Sequence, residues 1–501
     1  MTVREYPRGI ILLAMSLVTA LYVSTLTIVN VALPQMQGAL SATPDQISWV
    51  VTLNLVATAI ATPLTGWLVS NWGQRQVLIW CIAGFSVSTY LCATAITLEP
   101  LLLYRIGQGA FGAPLIPICQ AIVLNTYKEA DKRAFAMSIY GMAVVIGPGL
   151  APALGGYMAE EYNWRWIFYL LMPICGLSLL SVIIFIKDGV RPERFRLDWT
   201  GFIALSIAVT CLQLMLDRGE RLDWFESTSM IMIAAVLIFS IYFFVVHSAF
   251  SDNPFINLKL FQDRNYSIGL FLVFVYGMLN VTPTVLLPTM LQNLAGYPDS
   301  DIGFILAMRS VGMIAAFLVI GKISKIDPRF GIVGGLLAIA ISGIISATFD
   351  INVTVWQVAW TGIIQGIGCG LMWVPLSVVA FSTLNPSLVP DGSAFFHLIR
   401  NYGSSIFIAL NVMVVVRTTK VNYSELSEVA NPYNETLKNP QVTGEVNIDS
   451  LSGLVSLAQE ISIQAGMIGY LNSFLLYAFG ALLPIPILFM LRIKRQSPVA
   501  G

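Results

Sequence analysis

Fourteen long apolar stretches follow one another along this chain, separated by short polar connections. A hydrocarbon core of about 30 Å needs about 20 helical residues to cross it, and inside it only helices and closed barrels satisfy their backbone hydrogen bonds. We therefore expect an all-α polytopic membrane protein with fourteen transmembrane helices. The predicted spans are 9–33, 47–70, 77–97, 100–126, 133–158, 164–186, 198–216, 228–247, 265–292, 301–321, 330–349, 354–381, 391–416 and 468–491.

The composition agrees with a chain that lies in a membrane. Hydrophobic residues make up 56% and charged residues 11% of the chain, against about 25% charged residues in soluble domains. The formal net charge is zero, which gives no electrostatic attraction to nucleic acid. The six cysteines lie inside predicted helices without CxxC spacing. We expect them to pack as small apolar residues rather than to bind a metal or form disulfides, and we expect no cofactor.

Basic residues are unevenly divided between the two sides of the predicted bundle. With both termini in the cytoplasm, 18 of the 27 Lys and Arg residues fall on cytoplasmic connections, six fall outside, and three lie within helices. An excess of Lys and Arg marks the cytoplasmic side of membrane proteins. This orientation places the longest connection, about 417–467, on the outside.

The two halves of the chain resemble each other. The fourth span contains Arg105–Pro114, and the twelfth contains the similar stretch Gln365–Gly370, followed by Pro375. A parallel repeat of six helices, with two helices inserted between the copies, accounts for fourteen. We expect an N-terminal six-helix bundle at 1–190, two inserted helices at 191–260, and a C-terminal six-helix bundle at 261–501 that includes the 417–467 loop. Repeated halves around a midplane cavity are a common plan for transporters.

An ordered set of local patterns identifies a family. The patterns are Thr27–Pro34, Gly66–Arg75, Arg105–Pro117, Gly147–Gly156, Trp164–Phe168, Leu216–Phe225 and Asn253–Phe255. Together they resemble the major facilitator superfamily, specifically the fourteen-helix drug:proton antiporters of the EmrB/QacA type, and the last two resemble the EmrB branch in particular. The likeness runs from the first span to the last and implies the major facilitator fold.

This resemblance implies a secondary active exporter of small amphipathic compounds, of the multidrug efflux type, coupled to protons, in the inner membrane of a bacterium. Besides membrane lipids, it implies a membrane-fusion adaptor and an outer-membrane channel as partners, with 417–467 as a docking surface. The fold would equally serve a dedicated exporter of an endogenous metabolite, such as a siderophore or lipid precursor, without proton coupling. An enzyme is not expected, because the sequence shows no nucleotide-binding loop, paired carboxylates or His-Cys-acid cluster.

Two glycine-containing motifs are candidates for conformational roles. The first is the turn after the second span, where a small residue permits close helix approach and a cation can meet a helix C-terminus. Its residues are Gly66, Gly73 and Arg75, and the alternative is an ordinary basic turn.

The second motif lies in the fifth span, where proline removes a backbone donor and glycine admits a neighbouring helix. Its residues are Gly147, Pro148, Gly155 and Gly156. In the family this motif is typical of exporters, and the alternative is simple packing.

Three arginines lie inside predicted spans. At 1.5 Å per residue, Arg105, Arg309 and Arg400 lie about 9, 12 and 13.5 Å from their helix starts, where a charge is costly and normally faces a cavity or a partner. For Arg105 the resemblance favours substrate or proton handling over structural hydrogen bonding. Arg309 and Arg400 either line the cavity or pair with helix ends. The predicted substrate cavity comprises Thr25, Asn30, Asn54, Arg105, Gln108, Tyr276, Asn280, Arg309, Gln365, Trp373 and Arg400.

An acidic residue is missing where family members commonly carry one. Thr25 stands in place of an aspartate in the first span, and no Asp or Glu lies deep in any predicted span. The remaining candidates for proton coupling are Arg105, Glu99, Asp391 and His397. Asp391 is expected to cap the thirteenth helix instead, and His397 is either a core histidine or a proton site. Arginines without acids predict a positive cavity that favours anionic or neutral amphiphiles.

Overall fold

The structure is a computed structural model. It describes residues 7–127, 129–187, 197–251, 254–256, 258–323, 327–385, 388–429 and 450–490, and within these ranges it contains helices and no strand. The helices are α1 (Arg8–Ala39), α2 (Pro44–Ala61), α3 (Leu64–Trp72), α4 (Gln74–Thr94), α5 (Leu98–Gly112), α6 (Leu115–Thr126), α7 (Ala130–Glu161), α8 (Trp166–Phe185), α9 (Trp199–Arg218), α10 (Thr228–Phe250), α11 (Arg264–Asn293), α12 (Asp299–Ile323), α13 (Pro328–Ser346), α14 (Val355–Ala380), α15 (Val389–Val429) and α16 (Leu451–Leu482).

The prediction of fourteen membrane spans is confirmed. Within the described ranges, thirteen spans are long and apolar enough to cross a membrane, and the bent pair α2 and α3, counted as one span, is the fourteenth. This second span was predicted to be continuous, but it bends by 54° where Pro63 follows α2, because proline has no backbone N–H for a helical hydrogen bond. The fourth span is likewise interrupted between α5 and α6, at Ala113 and Pro114.

The region between the last two spans differs from the predicted long connection. Helix α15 continues for 41 residues to Val429, and α16 begins at Leu451 instead of 468. Most of the described part of 417–467 is therefore helical, since a mixed polar and apolar sequence suits a helix outside the membrane. Residues 430–449 lie outside the described ranges, as do Asn253 and the predicted boundary at 190/191.

The spans form two groups with a helix pair beside them. In the N-terminal half, α1 packs on α6, α7 and α8, and α5 packs on α2 and α4; in the C-terminal half, α14 packs on α11, α12 and α13. The halves meet where α7 contacts α12 and α14, and where α15 contacts α3 and α6. Helix α9 lies against α2 and α15, whereas α10 packs mainly on α9. Only 17% of the residues in the most apolar stretch of α10 are buried, against 78% in the fourth span. Helix α10 therefore presents most of its surface to lipid.

The inserted pair is fixed by an aspartate at the start of α9. The Asp198 carboxylate accepts hydrogen bonds from the Gly201 and Phe255 backbone N–H groups at 3.0 and 3.2 Å, and His247 Nε2 lies 2.9 Å from both its oxygens. Burial on its own raises the pKa of Asp198, but these hydrogen bonds outweigh it and hold the pKa below its ordinary value. At the other end of α9, the Arg218 guanidinium lies 3.9 Å from the Trp49 ring centre.

The bundle has one end that we call the basic end. It carries the starts of α1, α7, α11 and α15 and the ends of α3, α6 and α8. The basic residues described there are Arg8, Arg75, Lys132, Arg133, Lys187, Arg264 and Arg329. At this end the two halves are in direct contact, as described below.

Candidate functional site

A buried polar cluster ties three helices of the N-terminal half together. Arg105 of α5 is 2% exposed, and its Nε donates to the Val50 carbonyl of α2 at 3.1 Å. Its Nη1 donates to Gln108 Oε1, and Gln108 Nε2 donates to Thr89 of α4 at 2.8 Å. Asn54 of α2 returns a hydrogen bond to the Arg105 carbonyl at 3.0 Å. The structure thus brings together Asn54, Arg105 and Gln108 from the predicted cavity, but inside one half.

The C-terminal half contains a corresponding cluster. Arg309 of α12 donates through Nε to Gln365 of α14 and through Nη2 to both oxygens of Asn280 of α11, each at 2.6 Å. Gln365 Nε2 donates to the Leu279 carbonyl at 3.2 Å and to the Tyr477 hydroxyl of α16 at 3.1 Å. Asn280, Arg309 and Gln365 are therefore brought together as well, again within one half.

Close backbone contacts show which residues correspond. A Cβ on Gly109, which follows Gln108, would lie 2.4 Å from the Asn54 carbonyl oxygen. A Cβ on Gly366, which follows Gln365, would lie 2.0 Å from the Arg309 carbonyl oxygen. Asn54 thus corresponds to Arg309, and the residue three before each glutamine is Arg105 in one half and Gly362 in the other.

A cavity lies where the C-terminal half has this glycine. It is a small recess, open on one side and mostly apolar. A Cβ on Gly362 would make only ordinary contacts there, at 3.7 Å from the Ile305 carbonyl oxygen. The cavity is lined by Pro283, Leu287, Ile305, Leu306, Arg309, Ser342, Ser346, Val358, Thr361, Gly362, Gln365, Phe474 and Tyr477.

The third arginine lies between the halves. Arg400 of α15 is about 16 Å from the helix start at 1.5 Å per residue, and it lies close enough to interact electrostatically with Tyr22 of α1, Tyr140 of α7 and Tyr276 of α11. Its guanidinium carbon is 5.7 Å from the centre of the Trp373 ring, which in turn packs on Tyr276 with ring centres 4.9 Å apart.

The Arg400 guanidinium is weakly bonded compared with the other two. Its one hydrogen bond within the described residues is from Nη2 to the neighbouring Asn401 Oδ1, at 3.2 Å. Its remaining N–H groups are not sealed from solvent, since none is among the buried atoms without a partner. No carboxylate of the described ranges interacts with it. Arg400, Trp373 and Tyr276 thus form a central site with a positive charge and two aromatic faces.

Three predicted residues join none of these clusters. Thr25 is 1% exposed and donates to its own Leu21 carbonyl at 2.9 Å, while Asn30 is exposed. Glu99 lies in the first turn of α5, exposed at the end opposite the basic end.

At the basic end, α15 seals the halves against each other. Its Ser393 Oγ donates to the Pro117 carbonyl of α6 at 3.1 Å, and His397 Nε2 is hydrogen-bonded to Gln120 Oε1 of α6. The Asp391 carboxylate lies on Gly66 of α3, where a Cβ would fall 1.4 Å from Asp391 Oδ1. The prediction that Asp391 caps the helix is wrong, because α15 already begins at Val389 and Asp391 lies in its first turn.

Two of the remaining motif glycines lie at close contacts, whereas a Cβ on Gly73 would have no neighbour within 4 Å. Gly73 has φ +82°, and Arg75 Nη2 donates to the Ile183 carbonyl in the last turn of α8 at 3.0 Å. In α7, a Cβ on Gly147 would lie 2.5 Å from Ser24 Oγ of α1, and one on Gly155 would lie 2.4 Å from Ile28 Cγ1. Pro148 and Gly156 lie in the same helix without interrupting it.

Sequence reasoning missed the partner of His397. Gln120 is the one polar residue in the apolar run Leu115–Leu124 apart from its cysteine, and it is 0% exposed. An uncharged polar residue in such a run was the available signal, because a membrane helix gains nothing by carrying an amide that lacks a partner.

Fourteen membrane spans, arranged as two halves with a cationic site between them and a seal at one end, define a multi-pass membrane transporter. The chain belongs to the Major Facilitator Superfamily, whose family model matches residues 15–408. It is 34% identical to the multidrug export protein EmrB of Escherichia coli K12, over 85% of this chain and 83% of that protein. EmrB of Haemophilus influenzae is 32% identical over 94% and 93%.

A more distant relative and a solved structure are also similar to the chain. The fatty acid resistance protein FarB of Neisseria gonorrhoeae is 29% identical, over 98% of this chain and 97% of that protein. The crystal structure of the human organic anion transporter MFSD10 matches with a TM-score of 0.61 and 14% identity, over 95% of this chain and 100% of that chain. At this identity the structural match shows the fold alone.

Proposed function

We propose that the protein exports small amphipathic compounds from the bacterial cytoplasm across the inner membrane, as a proton-driven secondary carrier. The observation that carries the proposal is the central site, where a half-buried guanidinium with one hydrogen bond in the described ranges lies beside two aromatic rings between two helix bundles. The relatives named multidrug export proteins support it, since they are similar over most of their length.

In this proposal the basic end faces the cytoplasm, by the positive-inside rule. The halves are sealed at that end, so the structure corresponds to a state closed to the cytoplasm, and substrate enters when the seal opens. Alternating access of this kind moves one half against the other around a fixed central site.

We further propose that anionic and neutral amphiphiles are preferred over cations. Arg400 has no carboxylate partner in the described part of the chain, and a fixed charge in a low-dielectric site attracts its opposite strongly. FarB, named for fatty acid resistance, is consistent with this preference. A dedicated exporter of an endogenous anionic metabolite would use the same site.

The proposed partners are a membrane-fusion adaptor and an outer-membrane channel. Helix α15 is 41 residues long, or about 60 Å at 1.5 Å per residue, against a hydrocarbon thickness of about 30 Å. Together with the start of α16, on which it packs, it extends past the membrane on the outer side. This extension supplies a surface on which an adaptor could dock.

The test is uptake into inside-out vesicles with an imposed pH gradient, which is then collapsed. A sulfonated anionic dye and a quaternary ammonium dye of similar size are compared, because neither changes its charge with pH. We expect the sulfonated dye to accumulate and to be released on collapse. Arg400→Gln should lower its uptake at least tenfold, whereas Arg417→Gln, which removes an exposed arginine from the same helix, should leave it unchanged.

Two results would contradict parts of this proposal. Transport of the quaternary ammonium dye alone would exclude the anionic preference. Equilibration without accumulation, regardless of the gradient, would mean that a carrier with Thr25 in place of the aspartate is not coupled to protons.

A further inference from the structure

A histidine lies at the seal between the halves and has no charged partner there. His397, Gln120 and Ser393 are each 2% exposed or less. Gln120 Oε1 faces both the His397 ring and the Ser393 hydroxyl, which lies 3.3 Å away. We call these three residues the basic-end latch. Together with the Pro117 carbonyl, they form the hydrogen bonds that join α6 of one half to α15 of the other in the described ranges.

The latch leaves two buried polar atoms unpaired. Because Gln120 Oε1 accepts a hydrogen bond, His397 Nε2 carries the proton of the neutral ring, and Nδ1 holds the lone pair. Nδ1 has no hydrogen-bond partner in the described ranges, and neither has Gln120 Nε2. A second proton on the ring would convert Nδ1 into a buried donor without an acceptor, which is costly.

The groups around His397 give no compensation for a second proton. Arg400, one turn along the same helix, is the charged group that acts on it. Helix α14 contributes the neutral Trp373 ring, with ring centres 6.2 Å apart, and α6 contributes the uncharged Gln120. The tyrosines of α1, α7 and α11 act on Arg400 instead, and the Asp391 carboxylate lies on Gly66 of α3. The sealed state therefore accepts only the neutral imidazole.

We propose that the basic-end latch is a proton-sensing site of the transport cycle: His397 binds a proton from the cytoplasm when the halves are apart, and it must lose that proton before they can close. The proposal rests on the proposed function, which sets the basic end in the cytoplasm. Its sign is opposite to that of a site that carries the driving proton inward, because such a site would be filled in the state closed to the cytoplasm. His397 would instead slow export when the cytoplasm becomes acidic.

The size of the effect follows from ordinary imidazole titration. A hydrated imidazole has a pKa of about 6.5, so about nine-tenths is neutral at pH 7.5 and about one-tenth at pH 5.5. If only the neutral form can close, exchange should fall about tenfold between these pH values.

The first experiment measures substrate counterflow with the same pH on both sides, so that no proton gradient drives uptake. We expect the rate for the sulfonated dye to fall about tenfold from pH 7.5 to 5.5 in the wild type and less than about twofold in His397→Asn, which keeps a donor but does not titrate. The control is His247→Asn, the other histidine of the chain, which should follow the wild type. Gln120→Glu should reverse the dependence, because a carboxylate would favour the imidazolium in the closed state.

The second experiment needs no substrate. Spin labels at Lys132 of α7 and Phe330 of α13, both exposed at the basic end of opposite halves, report whether the halves separate. Acid should increase the distance in the wild type and not in His397→Asn. A pH profile of His397→Asn identical to that of the wild type would overturn the proposal, as would labels that ignore pH. Labels that separate in acid while no dye is exchanged would uphold the latch and refute the proposed function.

Discussion

The two halves carry the same polar cluster with the arginine on different helices. In the N-terminal half Arg105 projects from α5 and donates to the Val50 carbonyl of α2. In the C-terminal half the equivalent position of α14 is Gly362, and Arg309 projects from α12 instead. The glutamine and the glycine after it are retained in both halves. A guanidinium that ties two adjacent helices can thus be supplied from either one, and in the C-terminal half a cavity lies beside the glycine that replaces the arginine.

This comparison separates the arginines by role. Arg105 and Arg309 bond to groups of their own halves, whereas Arg400 lies between halves with most of its donors unused. We therefore propose that the first two position the helices and that the third contacts substrate.

The largest effect should come from the close glycine–carbonyl contact that both clusters share. Gly366→Ala places a Cβ 2.0 Å from the Arg309 carbonyl oxygen, and backbone cannot move away as a side chain can, so we expect almost no folded protein. Gly362→Ala, four residues earlier on the same helix, should fold normally because its nearest contact is 3.7 Å. Size-exclusion profiles in detergent compare the two, and equal yields would show that the close contact is not required.

Removing an arginine should destabilise the N-terminal half more than the C-terminal half. Arg105→Ala leaves the Val50 carbonyl and Gln108 without their donor, at about 1–3 kcal/mol each, and Arg105 is fully enclosed. Arg309→Ala should cost less, since Arg309 is only half-buried at the cavity. Thermal unfolding in detergent measures both, and a larger loss for Arg309→Ala would reverse our ranking.

The exchange itself can be reproduced in the C-terminal half. Combining Gly362→Arg with Arg309→Asn gives this half the N-terminal arrangement, with the new guanidinium in the cavity and facing the Ile305 carbonyl. We expect the double variant to lose less unfolding free energy than the two single variants lose together, by about 1 kcal/mol or more. Strict additivity in thermal unfolding would mean that the halves are not equivalent at these positions.

The smallest effect concerns the inserted helices, which are held by the hydrogen bonds of the Asp198 carboxylate. The pKa of Asp198 is lowered by its hydrogen bonds, so its contribution is complete above the unfolded value of about 3.9 and is lost as pH falls through the lower folded value. Below about pH 4 we expect amide exchange to rise in α9 before it rises in α5. Asp198→Asn should show the faster exchange in α9 already at neutral pH.

The sequence predicts where the spans lie better than which way their residues face. Apolar length located all fourteen spans, because the bilayer imposes it. It did not place the breaks at Pro63 and Pro114, since proline is tolerated in many membrane helices. Apolar length also predicted an end for α15 that is too early. The residues from 417 to Val429 are not predominantly apolar, yet they are helical.

The candidate site was predicted only in part. Arg400, Trp373 and Tyr276 lie together between the halves, and their contact with substrate stays a prediction, whereas Arg105, Gln108 and Gln365 are enclosed within their halves. A span that is apolar on all sides has no polar stripe to reveal which side faces the cavity. The sequence therefore indicates how deep in the membrane these residues lie, but not which neighbouring helix they face. Gln120 was overlooked for the same reason, since nothing local shows that it faces His397 of the other half.

Helix α15 is one continuous helix that holds the latch near one end, the central arginine in its first half, and at the other end the extension beyond the predicted span. A rod of about 60 Å that tilts by about 10° around its middle displaces each tip by about 5 Å in opposite directions. If the basic end faces the cytoplasm, as we propose, a protein bound to the far tip would be moved each time the near tip releases the opposite half, and the helix would act as a lever through the membrane.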